Sequence, residues 1–120
     1  MTKASLLADF RADLAKFQRM LNMRRHSLVS HGWVLAIRDS KRPGNSLMVL
    51  DPVIEGRQVV NARPSCLSRA TRLTRQDAER VCSNGNVRNG MGETAEPMHE
   101  QDALRLQIAI LERLIISLEA

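Results

Sequence analysis

The sequence predicts an α+β fold: two long helices, one N-terminal and one C-terminal, packed on a three- or four-stranded antiparallel sheet, with a short third helix. Three observations carry this. Residues 5–26 and the stretch after Pro97 repeat apolar side chains at alternating spacings of three and four, the period of a helix face. Residues 33–63 break instead into short Val-, Leu- and Ile-rich runs separated by turn-forming residues. Thr74 then stands three residues ahead of Asp77, a helix-start signature. At 120 residues the chain is read as a single domain over 1–120.

In the first helix, Leu7, Phe10, Leu14, Phe17 and Leu21 form one stripe, widened by Leu6, Met20 and Met23, with Ser5 placed as N-cap. Its other face carries Arg11, Lys16, Arg19, Arg24 and Arg25, the last two near the C-terminal end where cations suit the helix dipole. His26 to Gly32 reads as a break. Trp33–Arg38 is a first strand, followed by a turn over Asp39–Asn45. Ser46–Leu50 is a second, stopped by Asp51 and Pro52, and Arg57–Arg63 a third, ended by Pro64. Short runs joined by short turns make a meander. Cys66–Leu73 is a candidate fourth, edge strand, since its Ser and Arg residues suit an edge. Thr74 caps a short helix that ends by Ser83–Gly85, with Leu73 and Ala78 placed as a hydrophobic staple. Three Gly and three Asn within 84–93 predict a mobile loop over about 84–95.

Glu96 and Pro97 are read as opening the last helix, with Pro in its first turn. Leu104, Ile108, Leu111, Ile115 and Leu118 form its main stripe, and Leu106, Ile110, Leu114 and Ile116 spread apolar surface round it. Apolar residues on more than one side imply more than one packing partner. Ile110, Leu114 and Leu118 are therefore the candidate face for a homodimer or a partner protein.

Hydrophobic residues at 43% and charged residues at 26% are those of a globular chain. Two Phe, one Trp and no Tyr leave the core to aliphatics and Met, which weighs against single-strand nucleic-acid readers that stack bases on several rings. No stretch approaches the roughly 20 apolar residues of a membrane span, and Asp9, Arg11 and Asp13 interrupt any secretory pattern. The expectation is a cytoplasmic protein with Cys66 and Cys82 reduced and no membrane partner.

Residues 1–92 hold sixteen Lys/Arg against seven Asp/Glu, a net of +9, whereas 93–120 hold two against six, a net of −4. The basic body can meet an acidic surface, whether nucleic acid or protein, or be partly neutralised by its own acidic C-terminal helix.

Little in the sequence has the pattern of chemistry. His99 stands among Glu96, Glu100 and Asp102, a set that could hold zinc or move a proton, but a solvated acidic first turn accounts for it equally simply. Ser65, Cys66 and Ser68 lack His and Asp companions at recognisable spacing. Gly85, Gly90 and Gly92 match no phosphate-binding loop. No catalytic residue, metal or cofactor is expected.

Arginine is the exception. Residues 57–88 contain Arg57, Arg63, Arg69, Arg72, Arg75, Arg80 and Arg88 and no Lys, opposed only by Asp77 and Glu79. Guanidinium is a planar fork suited to phosphate and carboxylate. Arg57, Arg63, Arg69, Arg72, Arg75 and Arg80, with Arg24 and Arg25, are the candidate partner- or nucleic-acid-binding residues; Lys16 and Arg19 join the latter pair in a second patch. A solvated arginine surface with no partner is the simpler alternative.

The segment Ala70-Thr71-Arg72-Leu73-Thr74-Arg75-Gln76-Asp77-Ala78-Glu79 resembles a strand-to-helix corner of small phage and prophage accessory proteins, among them the anti-CRISPR proteins. The resemblance covers about ten residues and carries no functional residue across. It implies a non-enzymatic inhibitor, in a bacterial host's cytoplasm, that sterically blocks a host protein or ribonucleoprotein complex. Many such inhibitors are acidic nucleic-acid mimics and this chain is basic, so its basic face would instead occupy an acidic protein surface or clamp the target's nucleic acid. The alternative function is a basic nucleic-acid-binding accessory or regulator that contacts phosphate.

Overall fold

A computed structural model of the chain describes residues 2–24, 32–38, 47–56, 58–83, 87–88 and 92–120; the side chains of 24, 54 and 58–61 are also outside the description. Its elements run α1 (Lys3–Arg24), β1 (Trp33–Arg38), β2 (Leu47–Glu55), β3 (Gln58–Ser65), α2 (Arg75–Cys82), β4 (Glu96–His99) and α3 (Glu100–Glu119). The strands form one antiparallel sheet in the order β3-β2-β1-β4. The α+β architecture read from the sequence is the one found.

The sheet is covered on both faces, and the strand alternation shows how. Val34 and Ala36 of β1, Leu47 and Val49 of β2 and Met98 of β4 point to one side, where they pack with Leu67, Ala70, Ala103 and Leu104. Phe17, Met20 and Leu21 of α1 and Leu106 and Ile110 of α3 close that side. The intervening residues, Leu35, Ile37, Met48 and Leu50, point to the other face and pack with Ala78 of α2, Val87 and Ala95. A strand buried on both faces loses alternation and becomes a continuous apolar run. That is why Val34–Ile37 reads as one. Fully burying a side chain such as Leu35 or Leu50 stabilises by about 1.5–3 kcal/mol.

Three prolines account for most differences from the expected boundaries. Pro52 does not stop the second strand: β2 continues to Glu55 because β3 pairs along its other edge from Val49 onward. It leaves β1 after Leu50 and pairs onward with β3, through an irregularity at Val53/Ile54. Pro64 lies inside β3 and Pro97 inside β4, the two edge strands, where a residue without N–H can face away from the ladder. Glu96 and Pro97 therefore belong to a strand, and α3 begins only at Glu100.

The expected edge strand at Cys66–Leu73 is instead a turn, with the N–H groups of Arg69 and Ala70 both donating to the Cys66 carbonyl. Leu73 alone bridges β1, exchanging two backbone hydrogen bonds with Trp33 in the place β2 has vacated.

Thr2 rather than Ser5 is the first N-cap. Its hydroxyl accepts from the Ser5 N–H at 3.0 Å while Ser5 Oγ accepts from the Thr2 N–H at 3.1 Å, a reciprocal capping box that starts the helix earlier. Thr74 caps α2 as expected, accepting from the Asp77 N–H at 3.0 Å, and Leu73 and Ala78 share the α2-side core. The ends of the 84–95 loop are tied down: Val87 and Ala95 are buried, and the Ala95 N–H donates to the Val87 carbonyl at 2.8 Å. The break at 26–31 and the turn at 39–45 lie outside the described residues. No helix among the described residues is long and apolar enough to cross a membrane.

Candidate partner-binding surface

The structure divides the arginines into two groups. Arg72 is turned inward. Its Nε donates to Glu100 Oε2 at 2.7 Å, one terminal nitrogen to the Ala70 carbonyl at 2.9 Å and the other to the Leu67 carbonyl at 2.8 Å. Glu100 is 1% exposed, and its backbone N–H donates to the Gly32 carbonyl at 2.7 Å. The acidic first turn of α3 is therefore not solvated at Glu100: it is the anchor of a buried ion pair. Burial of a carboxylate demands such a partner.

Around this pair the end of β1 is tightly built. His99 caps α3, its Nδ1 accepting from the Gln101 N–H at 3.2 Å, so the ring proton belongs on Nε2. Nε2 is buried without a hydrogen-bond partner among the described residues. A Cβ at Gly32 would come within 3.1 Å of Nε2 and 3.3 Å of the Glu100 carboxyl carbon, so any side chain here requires His99 and Glu100 to give way by a few tenths of an ångström. Trp33 meets the His99 ring edge-on, and the Arg75 guanidinium sits 5.3 Å from the Trp33 ring centroid. Arg75 also pairs with Glu79, and Arg80 with Asp77, each at 2.9 Å. These contacts engage Arg72 within the fold and Arg75 and Arg80 on its surface. Gly32, Trp33, His99 and Glu100 had no signal as a group, because they meet only when β1, β4 and the turn before α2 come together.

Arg63 and Arg69 are different. Both are exposed, and neither makes an ion pair among the described residues. Arg63 is opposite Asp51 in the ladder and so lies on the α1/α3 face of edge strand β3. Asp51 is engaged elsewhere, accepting from the Thr71 N–H at 2.6 Å. Lys16 Nζ reaches Ser68 Oγ at 3.4 Å, which brings the basic face of α1 against the turn holding Arg69. Arg19, one turn further along α1, is exposed on the same helix face.

The Lys16–Ser68 contact thus joins the cations of α1, Lys16 and Arg19, to the turn that holds Arg69, and Arg63 lies on the same face of the sheet. Cys66 opens the turn that holds Arg69, its Sγ 3.3 Å from Ser68 Oγ. The Ser68 hydroxyl, with the Arg69 N–H and charge, lowers the Cys66 thiol pKa, burial opposing only in part. Arg57 and Arg25, and the side chain of Arg24, lie outside the described residues.

Of the candidate helix face, Ile110 packs on the α1/α3-side core, Leu118 is half-buried and Leu114 is 39% exposed. Among the described residues no group of three His, Cys, Asp or Glu is placed to hold a metal ion. No protein-family model matches the chain, and no curated protein and no solved structure matches it either.

Proposed function

We propose that this chain is a non-enzymatic binding protein of phage or mobile-element type. It sets the surface of Lys16, Arg19, Arg63 and Arg69 against an acidic face of a bacterial host complex and blocks that complex sterically, in the manner of an anti-CRISPR inhibitor. The observation that supports it is the division of the arginines. Arg72 is paired inside the fold and Arg75 and Arg80 are paired with carboxylates on its surface, while Arg63, Arg69, Lys16 and Arg19 stand exposed with no ion pair among the described residues. Unpaired cations of this kind steer association with an acidic partner. Expression in a host with an active CRISPR system should restore plaquing of a targeted phage, and Arg63→Glu with Arg69→Glu should abolish the effect. No restoration across several system types removes the anti-CRISPR reading. A pull-down that recovers no host protein removes the wider one.

The contact between Lys16 and Ser68 also favours a second reading, in which the merged cations track a phosphate backbone. Four cations displacing counterions give a log–log salt slope of roughly −3 to −4 on duplex DNA. Mobility shifts at two salt concentrations test it: no binding at low salt excludes it, and a flat salt response excludes the phosphate mechanism.

A further inference from the structure

We draw no further inference here: the strongest candidate, the exposed Cys66 thiol at the turn between β3 and α2, with Ser68 Oγ 3.3 Å from its Sγ and Lys16 Nζ 3.4 Å from that hydroxyl, is a lone cysteine in contact only with its own cluster, and nothing among the described residues shows what ligand it would meet.

Discussion

Arg69 and Arg72 are three residues apart, one within a turn and the other just past it, and their surroundings are opposite. Arg72 has every edge of its guanidinium occupied, by a carboxylate that is 1% exposed and by two carbonyls. Arg69 projects from the turn with its charge uncompensated among the described residues. The turn imposes the difference. The carbonyls of Leu67 and Ala70 are held inward over the start of α3, and the side chain nearest them fills the gap between those carbonyls and Glu100. A run of arginines is thus one composition with two physical functions, one in the fold and one on the surface.

The largest test of this contrast is Arg72→Ala. It takes from Glu100, 1% exposed, the guanidinium it is paired with, and should cost about 3–5 kcal/mol in urea unfolding. Replacing the pair together, Arg72→Met with Glu100→Leu, should recover most of that loss, because two apolar groups of similar volume need no counter-charge. Equal destabilisation by the single and double variants would mean that packing, not charge, holds the site. Gly32→Ala drives a methyl against His99 and Glu100 and should cost about 1–3 kcal/mol by the same measurement.

Thr74→Ala removes the α2 cap, at about 1 kcal/mol, and should loosen the Arg75 contact with Trp33, read as a change in Trp33 fluorescence. Arg69→Ala should move stability by less than about 0.5 kcal/mol while weakening partner binding.

The cysteines repeat the contrast without involving stability. Cys66 beside Ser68 and Arg69 has its pKa lowered, whereas burial, with Glu96 nearby, pushes Cys82 up to about 11. At pH 8 a thiol reagent should modify Cys66 well before Cys82, and the gap should narrow as pH rises towards 11 and Cys82 begins to ionise. Equal rates at pH 8 would contradict the placement of both.

The elements that were legible in the sequence are those whose pattern is local. Strand β1 and both long helices declare themselves through runs and spacings of their own residues, and Thr74 through a hydroxyl three residues from the N–H it binds. The misreadings share another cause. Pro52 looks like a strand end because the β3 pairing that carries β2 past the end of its pairing with β1 is invisible in one strand's residues. Pro97 fits a helix start and an edge strand equally, and only its pairing with Leu35 decides. Glu100 reads as a surface carboxylate because its partner lies 28 residues earlier. The cationic surface was half legible: the arginines were visible, but their division was not, nor was the junction of Lys16 with Ser68 across 52 residues.

Strand β1 pairs with β4 across most of the chain, from Trp33 with His99 to Ala36 with Glu96. On a ribosome adding about 5–20 residues per second, β1 therefore emerges roughly 3–12 s before the strand that completes it. The β2–β3 hairpin can form at once, since its partners adjoin, but one edge of β1 stays unpaired. Arg72 waits in turn for the carboxylate that neutralises it. For those seconds the nascent chain carries an open apolar strand edge, and the rate at which β4 and α3 follow governs whether it closes on itself or on a neighbouring chain.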